Sequence, residues 1–197
     1  MNLPNKITIS RILLTFVFIF LMKASGLFPK IGAMLIFSLA CFTDYLDGYL
    51  ARKNYEVTTF GKLMDPIADK ILVISAFIAF AQLGLVEVWM VVLILIREFV
   101  VTSLRIFALA RGKVIHAQRI GKHKTISSYV AVFLILAFLI FKEIGIKIGF
   151  YSESFQIMGA FLIYILMLLV ISLTIISGIN YIAKNAFLLK DFKNEPR

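Results

Sequence analysis

The chain has 197 residues, 61% of them hydrophobic and 16% charged, with a formal net charge of +10 and a mean hydropathy of +0.95. Those values lie outside the range of soluble globular proteins and predict an integral membrane protein. The apolar runs are long rather than short and alternating, which excludes a closed barrel and leaves an all-α fold.

The first apolar run, near residues 7–22, follows basic residues as a signal peptide would. It ends in "LMKASGLFPK" without a small-residue cleavage site, so a retained first helix is expected. Gly26 and Pro29 mark a turn before a second span near 31–52. That span runs through "IGAMLIFSLACFT", where Cys41, the single cysteine, reads as a small apolar residue. With one cysteine, neither an intrachain disulfide framework nor a thiolate metal cluster forms. The segment from Gly61 to Pro66 predicts the next turn, and further spans follow near 66–84 and, after Gly84, near 87–110. Gly112 to Gly121 and Gly145 to Gly149 supply the last breaks, around spans near 124–142 and 154–183. The expectation is one domain over 1–197, an all-α six-transmembrane-helix bundle.

Cytoplasmic loops accumulate lysine and arginine. One side of the six spans would hold Lys6, Arg11, Arg52, Lys53, Lys62, Arg111, Lys113, Arg119, Lys122, Lys124, Lys184, Lys190, Lys193 and Arg197. The other would hold only Lys23, Lys30, Lys142 and Lys147. Both termini are therefore expected in the cytoplasm. The basic excess fits topology and anionic lipid headgroups. No nucleic-acid partner is expected, since no soluble basic domain offers a groove.

The stretch "DYLDGYLARKNYEVTTFGKLMDPIADK" puts four aspartates where membrane meets water. Asp44 and Asp47 are three apart, and Gly48 and Ala51 continue the same helical face; Asp65 and Asp69 are four apart on the next helix. Two sequence-adjacent helices are expected to pack antiparallel, so these carboxylates can converge at the cytoplasmic ends. Crowded carboxylates would become protonated unless cations compensated them. Hard oxygen ligands without histidine or cysteine select Mg²⁺, Mn²⁺ or Ca²⁺ over zinc. His116 and His123 read as solvated or structural. Gly48, Ala51 and Gly61 leave room for a ligand or for close helix packing, and Arg52 suits a diphosphate or a topology anchor.

Written as D-x2-D-G-x2-A-R-x8-G-x3-D-x3-D, this stretch resembles the signature of the CDP-alcohol phosphotransferase family at Asp44, Asp47, Gly48, Ala51, Arg52, Gly61, Asp65 and Asp69. The resemblance implies a membrane enzyme that displaces CMP from a CDP-linked lipid with an alcohol, using two divalent ions, Mg²⁺ or Mn²⁺. It implies Asp44, Asp47 and Asp65 as metal ligands, and Asp69 as the base for the acceptor hydroxyl and a further metal ligand. Gly48, Ala51, Arg52 and Gly61 would then lie at the CDP-lipid. The opening "LPNKITISR" resembles a P-N-x-x-T-x-x-R segment that lies beside the nucleotide in related enzymes, which adds Pro4, Asn5, Thr8 and Arg11 to the CDP-lipid side. Taken alone, that segment is also an ordinary helix start with a basic anchor.

For the acceptor, "ILIREFVVTSLRIFALARGK" and "QRIGKHKTISS" are informative. Arg97 and Glu98 fall within an apolar run, where charge needs a polar cavity or a partner. Glu98, Thr102 and Arg105 share one helical face. Arg105, Arg111, Arg119, Lys122 and Lys124 suit an acceptor that carries phosphate, which favours glycerol 3-phosphate. These segments also resemble the phosphatidylglycerophosphate synthase branch of the family, through I-R-E-x3-T-x2-R and G-K-x-K-T patterns. That resemblance implies Arg97, Glu98, Thr102, Arg105, Lys122, Lys124 and Thr125 on the acceptor side. An intramembrane Arg97–Glu98 pair and interfacial lysine anchors are the structural alternative.

The expected reaction joins the phosphatidyl group of CDP-diacylglycerol to glycerol 3-phosphate. A sibling enzyme taking inositol, inositol phosphate, serine or phosphatidylglycerol shares the aspartate signature, and a divalent-cation transporter is a more distant reading. The resemblance further implies a homodimer among membrane lipids and a bacterial plasma membrane location.

Overall fold

The computed structural model describes the backbone of residues 3–54, 59–110 and 119–185, and side chains within 9–43, 70–108 and 121–185. Among the described residues there are six helices: α1 (Leu3–Lys23), α2 (Leu27–Asn54), α3 (Thr59–Gln82), α4 (Val88–Ala110), α5 (Arg119–Ile148) and α6 (Glu153–Lys184). By length and composition, α5 from Gly121 and all of α6 are sufficient to cross a membrane, while Leu27–Thr43 and Lys70–Gln82 are shorter apolar stretches.

One expected break falls elsewhere, and another comes at the far end of its expected segment. Gly61 and Pro66 both lie inside α3, which is described from Thr59, while α2 is described as far as Asn54. A proline within a helix removes one backbone donor but does not end the helix when the rest of the ladder holds. Gly145 likewise lies inside α5. Its carbonyl accepts from Phe150 N at 2.9 Å and Tyr151 N at 3.1 Å, and the chain turns at Gly149, whose φ of 75° suits glycine. A side chain on Gly145 would meet Tyr151 Cβ at 3.4 Å. The next helix then begins at Ser152, whose side chain accepts from Phe155 N at 3.3 Å.

The helices close a ring that does not follow chain order: α1 packs on α2, α2 on α5, α5 on α6, α6 on α4, α4 on α3, and α3 on α1, with α3 also touching α5. Among the described residues α2 also touches α3, and α1 lies against both. One apolar core runs through all six helices, from Phe18 and Phe37 to Phe77, Met90, Leu136 and Met167. Phe37 anchors it, with ring centroids 5.8 Å from Phe18 and 5.2 Å from Phe133.

The outside is equally apolar. Phe16, Phe20, Phe28, Leu35, Phe99, Phe141, Phe150 and Ile157 are all exposed. A water-soluble monomer rarely carries so much outward apolar surface, whereas hydrocarbon favours it. Hydroxyls within the helices are satisfied locally: Thr15, Ser38, Ser128, Ser172 and Thr174 each donate to the carbonyl four residues back. Buried Lys30 donates to Met22 O at 2.7 Å, near the carbonyl end of α1 where a cation is favoured.

Candidate active site

Three helices bring charged side chains together inside this apolar body, and a fourth adds a hydroxyl. Glu98 of α4 is the hub. Its Oε1 lies 2.8 Å from Arg97 Nη1 and 2.6 Å from Lys124 Nζ of α5, and its Oε2 lies 3.1 Å from Lys70 Nζ of α3. Lys70 also donates to the Glu98 carbonyl at 3.3 Å and to the Thr102 hydroxyl. Thr102 in turn donates to Glu98 O at 2.7 Å. On the far side, Arg97 Nη2 donates to Ser177 Oγ of α6 at 2.6 Å.

The electrostatics of this group set its chemistry. Lys124 is 5% exposed, Glu98 11% and Arg97 13%, so these charges have been withdrawn from water. Burying an ion costs several kcal/mol unless partners and hydrogen bonds compensate it. Among the described residues, three cations face one carboxylate, which leaves positive charge in surplus. Arg105, one helical repeat beyond Glu98, adds to it: its Nε is buried without a hydrogen-bond partner among the described residues. A surplus of buried guanidinium and ammonium donors is a receptor for an anion such as phosphate.

The expected acceptor-side residues divide accordingly. Arg97, Glu98, Thr102 and Lys124 meet in one cluster, and Arg105 lies on the same helix. Lys122 and Thr125 are exposed, and Thr125 donates to Gly121 O of its own helix at 3.1 Å. They are not drawn into the cluster. The Arg119 side chain and Arg111 lie outside the described residues.

Of the residues expected beside the nucleotide, Arg11 is buried, and its carbonyl accepts from Thr15. Pro4, Asn5 and Thr8 are on α1, Gly48, Ala51 and Arg52 on α2, and Gly61 on α3, with their side chains outside the described residues. The same holds for the aspartates: Asp44 and Asp47 are on α2, Asp65 and Asp69 on α3. Both pairs sit on helical backbone, so their spacings of three and four put each pair on one helix face. The expected donor set is entirely carboxylate, which suits hard divalent ions. Asp69 immediately precedes Lys70, which joins the metal-type stretch to the cation cluster along one helix.

Lys70, Ser177 and Gly178 are absent from the sequence expectation. Lys70 had a readable signal, a charge within a predicted apolar span. Ser177 and Gly178 had none, because small residues are ordinary in membrane helices.

Comparison with known proteins gives the family. The model of the CDP-alcohol phosphatidyltransferase family matches residues 1–176. A Bacillus subtilis (strain 168) protein named CDP-diacylglycerol--glycerol-3-phosphate 3-phosphatidyltransferase is 35% identical, over 96% of this chain and 97% of its own length. A protein of the same name from Rickettsia typhi (strain ATCC VR-144 / Wilmington) is 41% identical, over 91% of this chain and 94% of its own.

Proposed function

The chain belongs to the CDP-alcohol phosphatidyltransferase family, and on that premise we propose that it transfers the phosphatidyl group of CDP-diacylglycerol to glycerol 3-phosphate, giving phosphatidylglycerol phosphate and CMP. It is an enzyme and a membrane protein. The observation that favours an acceptor carrying phosphate is the cation surplus around Glu98 among the described residues, and the names of the relatives favour glycerol 3-phosphate among such acceptors. An alcohol without phosphate would leave those cations unanswered, whereas glycerol 3-phosphate brings a dianion to them.

In this reading the primary hydroxyl of glycerol 3-phosphate attacks the lipid-linked phosphorus. A new P–O bond forms, the P–O bond to the CMP phosphate breaks, and Asp69 accepts the hydroxyl proton. Asp44, Asp47, Asp65 and Asp69 would hold two divalent ions, Mg²⁺ or Mn²⁺, which when bound stabilise charge on the diphosphate. Pro4, Asn5, Thr8, Arg11, Gly48, Ala51, Arg52 and Gly61 would serve the CDP-lipid. Arg105, Lys70 and Lys124 would hold the acceptor phosphate, with Arg97, Glu98 and Thr102 beside them; Arg111, Arg119, Lys122 and Thr125 would border its entrance.

The wider arrangement follows the same reading. The chain forms one domain of six membrane-crossing helices in a bacterial plasma membrane, with both termini and the cavity facing the cytoplasm. The lysine and arginine asymmetry supports that orientation. The broad outward apolar surface supports a lipid surround and leaves room for a homodimer contact.

The deciding experiment gives purified protein labelled CDP-diacylglycerol with Mg²⁺ or Mn²⁺ and one acceptor at a time: glycerol 3-phosphate, inositol, inositol phosphate, serine or phosphatidylglycerol. CMP release and a new phospholipid are expected with glycerol 3-phosphate alone. Turnover with a different acceptor, or metal flux into liposomes without CMP, would replace this reading.

A further inference from the structure

Arg97 occupies a slot between two glycines. A methyl group added at Gly178 of α6 would stand 3.2 Å from Arg97 Cγ, and one added at Gly121 of α5 would stand 4.0 Å from Arg97 Nη2. The slot ends in the Ser177 hydroxyl, which is 3% exposed and accepts from Arg97 Nη2 at 2.6 Å. Most other helix hydroxyls here bond their own backbone, whereas the hydrogen bond at Ser177 is with Arg97. Both terminal nitrogens of Arg97 are thus engaged, one by Ser177 and one by Glu98.

We propose that Ser177 and Gly178 are positioning residues that seat Arg97 and, through it, set Glu98 and the lysines that receive the acceptor phosphate. Both lie just beyond residues 1–176, the extent of the family match. The physical logic is a chain of contacts: Ser177 fixes the guanidinium plane, the guanidinium fixes Glu98 Oε1, and Glu98 orients Lys124 and Lys70. A carboxylate between three long cationic side chains has several arrangements of similar energy, and an anchored arginine selects one of them. Arg97 in this role contacts protein, and Lys70, Lys124 and Arg105 contact the ligand. The inference rests on the glycerol 3-phosphate reading.

The test is steady-state kinetics of the full chain in detergent, varying glycerol 3-phosphate and CDP-diacylglycerol separately. The variants are Ser177→Ala, Gly178→Ala, Arg97→Ala and the Ser177→Ala/Arg97→Ala pair. Losing a hydrogen bond to a charged group corresponds to about a tenfold change. Ser177→Ala should therefore raise KM for glycerol 3-phosphate about tenfold while leaving KM for CDP-diacylglycerol within twofold. Gly178→Ala should act in the same direction, and Ser177→Ala should add nothing in the Arg97→Ala background. Equal effects on both substrates, or independent effects of Ser177→Ala and Arg97→Ala, would overturn the seat. If Arg97→Ala does not fold, the substrate split in Ser177→Ala and Gly178→Ala decides. Wild-type protein that ignores glycerol 3-phosphate would instead remove the acceptor reading and this inference with it.

Discussion

Lys124 Nζ lies 2.6 Å from Glu98 Oε1, which ties the beginning of α5 to the middle of α4 through two buried charges. Removing one member of such a pair strands the other. Glu98→Gln should destabilise the protein by about 3–5 kcal/mol. Pairing it with Lys124→Met should cost less than the two single changes together. Denaturant unfolding in mixed micelles measures both, and a Glu98→Gln variant as stable as wild type would show that the cluster is not an ion-pair network.

Asp69→Asn should abolish turnover with a much smaller effect on CDP-diacylglycerol binding, since the amide retains shape but cannot accept the proton. Single-turnover assays alongside equilibrium binding separate the two. Unchanged activity removes Asp69 from the chemistry.

Chelation should stop CMP release, and added Mg²⁺ or Mn²⁺ should restore it, while Zn²⁺ should not match them at an all-carboxylate donor set. Full activity after exhaustive chelation would contradict the assignment of Asp44, Asp47, Asp65 and Asp69.

Arg105→Ala should raise KM for glycerol 3-phosphate by about tenfold or more, the scale of one charge-assisted contact, with little change toward CDP-diacylglycerol. Parallel shifts in both constants would move Arg105 off the acceptor side.

Gly159→Ala tests the packing that supports the site. The added methyl would overlap Phe138 Cε2, which forces α5 and α6 apart or turns the ring. A loss of about 1–3 kcal/mol is expected, and Phe138→Leu in the same chain should recover part of it. A lowered unfolding midpoint for Gly159→Ala alone is the result to seek.

Much of this architecture was readable in the residues because hydrocarbon permits few solutions. Apolar length specified six helices, and the structure has six among its described residues. Glycine and proline punctuate this chain less sharply. Gly61, Pro66 and Gly145 are inside helices because a single imperfect residue costs less than ending a helix in an apolar setting. Charge within an apolar run called for a polar cavity or a partner at Arg97 and Glu98, and in the structure the two pair with each other and Glu98 also with Lys124, since isolated ions there are too costly. The same rule could have found Lys70. Ser177 was beyond reach, because its role depends on which helix lies beside α4, and the ring order of the bundle is a long-range outcome with no local trace.

That ring order also has a consequence for how the molecule is made. Arg97 leaves the ribosome eighty residues before Ser177, the side chain on which it rests. Synthesis must therefore reach α6 before the arginine finds its anchor, so a nascent chain stalled earlier holds the acidic motif and the basic residues without their finished arrangement.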